Sequence, residues 1–143
     1  MEGTLLGRVI PLKNDSGEDR TPDRFVMLKA AGTFDKPSGE GGDAIGILQK
    51  DLRYEDGKVG DGNMGDVQID GIADVEISGA VSAKDYLIVA ANTGVAKSIG
   101  ALASLSLGAG GDSFVKVVGI ALEDGDDGGK VACLLIPNLI VKA

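Results

Sequence analysis

Histidine and tryptophan are absent from the 143-residue chain, and cysteine occurs once. Without histidine the chain loses the commonest general base, the usual metal-binding nitrogen and every Ser-His or Cys-His nucleophile pair. Zinc sites of the Cys/His type are excluded with it. A single cysteine forms no internal disulfide; Cys133 lies in VACLLI, which reads as buried strand. Aromatic residues make up only 3% of the chain, too few to line a ligand cavity in the usual way. Positive charge is short as well: 14 Lys and Arg stand against 22 Asp and Glu, a net charge of −8. No basic cluster exists to hold a phosphate backbone, which argues against nucleic acid as a partner. The longest clear apolar runs, such as YLIVAA at Tyr86–Ala91, fall far short of the roughly 20 residues of a membrane-crossing helix. The opening MEGTLLGRVIPLKN has Glu2 and only short apolar pieces, unlike a secretory signal, which points to synthesis in a cytosol.

What is present in quantity is glycine, 23 residues of it, among Val, Ile, Leu and Ala. That mixture fits short strands joined by tight turns, because each glycine inside a helix costs about 1 kcal/mol relative to alanine. FVMLKAA at Phe25–Ala31 and AIGILQ at Ala44–Gln49 read as strands, with TFDKPSGEGGD between them as a loop. DVQIDGI, DVEI, YLIVAA, VAK, SFVKVVGIAL and KVACLLI follow in the same style, several alternating with period two. Residues 98–108 are ambiguous: Ile99, Leu102 and Leu105 carry helical spacing, but Gly100 interrupts it. The expected class is all-β, with at most one or two short helices, folded as a compact barrel or sandwich with an extended N-terminal arm. One internal similarity supports this. AIGILQKD…GDVQI and VVGIALEDGDDGGKVACLLI share a strand containing Gly-Ile, an acidic glycine turn and a strand beginning at Val.

The glycine spacing in GDGNMGD, Gly60–Asp66, fits G-x-G-x-x-G. A dinucleotide fingerprint needs a buried strand before it and a helix after it. Here polar YEDGKV precedes, a strand follows, and Asp61 and Asp66 repel phosphate, so the stretch reads as a turn. Calcium fails on spacing too. Counting from Asp124, position five is Gly128 and position twelve is Leu135; counting from Asp61, position five is Gly65. The remaining carboxylates lie in glycine-rich turns, where nothing dries a site or raises a pKa for paired-acid hydrolysis. Lys84 and Lys130 lie near turns but lack the flanking sequence of a modified carrier lysine. No enzyme activity and no cofactor or small-molecule substrate are expected.

Residues 1–24 differ from the single β-rich domain expected over 25–143. A short apolar patch, Leu5, Leu6, Val9 and Ile10, is followed by polar KNDSGEDRTPDR, which cannot fold on its own. An arm that orders against a partner fits this pattern, with those four residues as apolar anchors.

Three stretches, FVMLKAAGTFDKPSGEGGDAIGIL, GDVQIDGIADVEISGAVSAKDYLIVAANTGVAK and VVGIALEDGDDGGKVACLLIP, resemble in order the body of the capsid cement, or head decoration, proteins of tailed bacteriophages. The resemblance covers roughly residues 20–137. Where the family often has glycine before the Asp of the central hairpin, this chain has Lys84. The resemblance implies a β-barrel-like homotrimer on the outer face of the expanded head, at three-fold and quasi-three-fold positions. It further implies the major capsid protein as partner, synthesis in the host bacterial cytoplasm, and a role in holding the shell against internal DNA pressure. Other phage structural roles (minor tail, spike or adaptor component) and a small ligand-binding β-barrel are the alternatives.

Overall fold

A computed structural model describes residues 7–100 and 114–142, and within them the chain is all β with no helix. The strands are β1 (Val9–Asn14), β2 (Phe25–Ala30), β3 (Thr33–Asp35), β4 (Gly46–Leu48), β5 (Met64–Gln68), β6 (Ile72–Glu76), β7 (Tyr86–Val89), β8 (Ala96–Ser98), β9 (Phe114–Ala121) and β10 (Lys130–Lys142). The ambiguous stretch at 98–108 falls mostly outside the described residues; its first residue, Ser98, ends β8.

The first five strands close into a barrel in the order β1-β3-β2-β4-β5. β1 runs antiparallel to β5, from Val9 opposite Gln68 to Lys13 opposite Met64, and parallel to β3 through Lys13 and Asn14. Five strands enclose too narrow a space for a ligand, and this one is filled by Leu12, Val26, Phe34, Leu48, Val59 and Val67. Burying each of these larger side chains stabilises the fold by about 1.5–3 kcal/mol.

The other five strands form a sheet in the order β6-β10-β9-β7-β8. Its two ends approach each other. Ile77, just past β6, bridges Ala96 of β8, and the Ser78 N–H donates to the Ala96 carbonyl at 2.8 Å. Both potential edge strands are thereby partly covered, which removes the usual template for unwanted strand addition. The core here is apolar throughout: Val75, Ile77, Leu87, Val89, Val131 and Cys133 pack with Phe25 and Ile47 reaching across from the barrel. Past Leu135 the β10 register slips against β9, a bulge that contains Pro137, whose missing N–H cannot serve the ladder.

Strand pairing does not follow the boundary that the sequence suggests at residue 24. β1 is a barrel wall, and the polar stretch after it is the seam between the two halves. Arg20 and Val59 exchange backbone hydrogen bonds at 2.9 and 3.0 Å. The Asp23 N–H donates to Leu48, the Asp23 carbonyl accepts from Glu76, and the Phe25 N–H donates to Gly94, each at 2.8 Å. Gly94 has φ +89°, and a Cβ there would stand 2.3 Å from the Phe25 carbonyl oxygen, so the close approach requires glycine. Side chains reinforce the seam. Arg20 is nearly buried and donates to the carbonyls of Asn92 and Thr93; Arg24 pairs with Glu76 at 2.8 Å and Lys130 with Asp23 at 2.6 Å. The segment has no hydrophobic period because its order comes from specific polar contacts to other elements.

The two Gly-Ile hairpins occupy corresponding places, one per half. β4–β5 and β9–β10 are both antiparallel, and in each the glycine lies against its partner strand. A Cβ on Gly46 would stand 2.0 Å from the Gln68 carbonyl oxygen, and one on Gly119 would stand 2.2 Å from Cys133 Sγ.

Candidate interaction surface

The Cys133 thiol is fully buried, and desolvation pushes its pKa up to about 12, so it remains a neutral, unreactive thiol. Among the described residues no group of three or more Cys, Asp and Glu side chains is arranged to hold a metal ion. The carboxylates of the turns act instead as acceptors for nearby backbone N–H groups. Asp127 accepts from Gly79 at 2.7 Å and Asp124 from Ala83 at 2.8 Å, tying the EDGDDGG turn to the loop before β7. Asp61 accepts from Gly17, and Asp85 accepts from both Ser82 N–H and Ser98 Oγ. The Arg8 backbone and side chain both donate to Asp70, and these bonds hold its carboxyl below the ordinary carboxylate range.

In GDGNMGD the turn covers Asp61–Asn63, and Met64–Asp66, expected to belong to it, are already the start of β5. Gly62 takes φ +83° and donates to the Asn14 carbonyl at 2.8 Å, docking the turn on the barrel. Asn14 is completely buried and fully paired. Its Nδ2 donates to the Glu18 and Val59 carbonyls, and its Oδ1 accepts from the N–H and Oγ of Ser16. Lys84 adopts φ +77°, so the central hairpin makes its tight turn with a lysine in the left-handed conformation.

A cavity of about 270 Å³ opens at the seam, lined by Phe25, Ile45, Ile69, Val118, Leu135 and Ile136 together with Ala44 and Gly46. No polar side chain lines it to orient a ligand, and ligand sites normally carry a few such groups.

Of the four apolar residues singled out near the N-terminus, Leu5 and Leu6 lie outside the described residues. Val9 and Ile10 are in β1, opposite Gln68 and Val67, and Ile10 packs against the barrel core. The structure therefore uses these two within the fold, where they extend the barrel wall.

The surface itself holds a feature that sequence reading missed. Six large apolar side chains are exposed among the described residues; two of them, Leu52 and Tyr54, belong to the β4–β5 connection and a third, Met64, opens β5. Leu52 and Met64 line one depression of about 370 Å³ with Arg53, Val59 and Asp66. The signal available in the sequence was Leu-Arg-Tyr inside an otherwise charged loop, KDLRYEDGK.

No family model matches the chain, and no curated protein matches it. Among solved structures, it is similar to the N base of head fiber gp8.5 of bacteriophage phi29. The TM-score is 0.60 over 92% of this chain and 97% of that one, at 14% sequence identity. At that identity the likeness establishes a shared fold.

Proposed function

We propose that this protein is a structural component of a tailed-phage head. In this reading it is a decoration protein that binds the outer face of the expanded shell as a trimer, at three-fold and quasi-three-fold positions. The observation that carries the reading is the fold likeness along nearly the whole chain to a protein described as the base of a phage head fiber. The resemblance of residues 20–137 to capsid cement proteins points the same way, and the packed barrel interior leaves little room for the ligand-binding alternative.

The physical role follows from geometry. A shell filled with DNA is pushed outward, and a trimer that bridges several coat subunits resists their separation. Each contact is modest, because linking three of them raises the effective concentration of the others. Leu5 and Leu6, with the rest of residues 1–6, are proposed to contact the coat. Val9 and Ile10, half-buried in β1, are proposed to add to that contact.

Co-sedimentation with heads of the phage that carries the gene tests the reading. Saturable binding to expanded heads and none to unexpanded ones is expected; equal binding to both, or to neither, overturns it. The fiber-base likeness favours one second reading, a pedestal for another phage component. A decorated head that acquires an additional protein only when this one is present would support the pedestal.

A further inference from the structure

The loop between β4 and β5 combines exposure with order. Leu52, next to its base, is 91% exposed, Met64 lines the same depression and is 52% exposed, and Tyr54 is 51% exposed. An apolar side chain so presented usually belongs to a floppy segment, but this one does not. The Asp51 N–H donates to the Gly57 carbonyl at 2.9 Å, closing the loop at its base. Inside it, Tyr54 N–H donates to Asp51 and Gly57 N–H to Tyr54, each at 3.2 Å. Arg53 grips Asp51 with two side-chain bonds of 2.9 and 2.7 Å and a backbone bond of 3.0 Å, and its guanidinium stands 5.8 Å from the Tyr54 ring centroid. Gly57 takes φ +69° at the return, where a Cβ would stand 3.1 Å from the Lys50 side chain.

A loop held this way has little conformational entropy left to lose on binding. An apolar centre within a polar rim is the usual anatomy of a protein–protein interface. The surrounding charge selects the partner. Between Lys50 and Asp66 there are five carboxylates and three cations, and the Asp51–Arg53 pair neutralises itself. Of the rest, Glu55, Asp56, Asp61 and Asp66 make no ion pair among the described residues, and neither do Lys50 and Lys58, so the unpaired charge is negative by two. A second copy of this acidic chain would bring like charge to the same patch; a basic rim would complement it.

We infer that the Asp51–Gly57 loop is a docking knob, with Leu52 entering an apolar pocket on a partner protein whose rim carries Lys and Arg. Resting on the decoration reading, the inference assigns that pocket to the coat subunits of the head. Met64 and Tyr54 flank the knob and exclude water from its seat.

Binding to expanded heads prepared without this protein tests it, using the wild type, Leu52→Asp, Leu52→Met and the double variant Glu55→Lys, Asp66→Lys. Leu52 makes no core contact, so every variant should retain the wild-type melting temperature and solution mass. Leu52→Asp is expected to weaken binding at least tenfold, and Leu52→Met to stay within about threefold of wild type. The double charge variant should bind several-fold more weakly at low salt and show a shallower salt dependence. Wild-type-like binding by Leu52→Asp overturns the knob and leaves the decoration reading intact. Absence of wild-type binding removes the decoration reading, and with it the partner assigned here.

Discussion

The barrel and the second sheet solve the same packing problem with different materials. All three buried polar side chains among the described residues, Asn14, Arg20 and Gln68, belong to the barrel or to its seam. Gln68 Nε2 donates to the Asp70 and Ile72 carbonyls, and Asn14 satisfies two carbonyls and Ser16 at once. Among the described side chains the second sheet buries no polar one, and its core is Val, Ile, Leu, Ala and Cys with Phe25 from the barrel. Buried amides fix geometry because leaving one partner unpaired costs about 1–3 kcal/mol per group. An apolar core accepts exchange of volume more readily. The barrel is thus specified by hydrogen bonds and the sheet by shape.

The sharpest way to break this contrast is at Asn14. Asn14→Leu should destabilise the protein by about 3 kcal/mol, because it removes one hydrogen bond from each of the Glu18 and Val59 carbonyls and leaves the Ser16 N–H without its acceptor. Chemical denaturation measures it. A loss below about 1 kcal/mol would mean that the barrel tolerates exchange as the sheet does.

The paired glycines sharpen the comparison further. Gly46→Ala should cost about 3 kcal/mol, since its Cβ meets backbone at Gln68. Gly119→Ala should cost about 2 kcal/mol, since its Cβ meets the Cys133 sulfur. Adding Cys133→Ala should recover part of the second loss and none of the first. A double-mutant cycle reads the coupling; equal effects on both hairpins would erase the distinction between backbone and side-chain constraint.

Relief is expected at Lys84. Lys84→Gly removes the left-handed strain, about 1–2 kcal/mol, and gives back part of it as unfolded-chain entropy, for a net stabilisation of about 0.5–1 kcal/mol. A lower melting temperature would contradict the turn geometry.

The remaining effects are confined to alkaline pH. The Asp23 hydrogen bond raises the Lys130 pKa above its ordinary value, so the stability it contributes at the seam is complete below about pH 10.5 and is lost as pH rises through the raised value. Cys133 moves stability in the same direction. Burial holds its proton up to about 12, against 9.0 in the unfolded chain, so stability is unaffected below pH 9.0 and falls as pH rises from there. Melting curves of wild type and Cys133→Ala should have parallel pH dependence below pH 9 and diverge above it, with the wild type falling faster. Parallel curves throughout would mean that the thiol ionises as readily in the folded state.

The same contrast governs what the sequence revealed. Strands of the apolar half were legible because their cores leave alternation or continuous apolar runs: Ile72–Glu76, Tyr86–Val89 and the start of β10 all fall in stretches read as strand. The barrel was half legible. β2 and β4 fall within the expected runs, and β5 begins two residues early, at Met64 in the stretch read as a turn; β1 carries Pro11 in mid-strand and closes on a buried asparagine, and β3 is three residues inside a glycine-rich loop. Such elements are defined by partners distant in sequence, which period counting does not see. The acidic turns were read as charge, whereas much of their work is local: Asp61, Asp85, Asp124 and Asp127 hold backbone N–H groups that have no ladder partner. Leu52 escaped notice because one leucine in a charged loop has no pattern, and only its 91% exposure on a braced loop distinguishes it.

The proposed role is mechanical, the fastening of coat subunits of an expanded head. Heating DNA-filled heads with and without saturating protein, and recording the temperature at which the genome escapes, tests it most directly. The expected result is a higher escape temperature with the wild-type protein that falls back toward the bare-head value with Leu52→Asp. Heads that release DNA at the same temperature whether or not the protein is bound would contradict it.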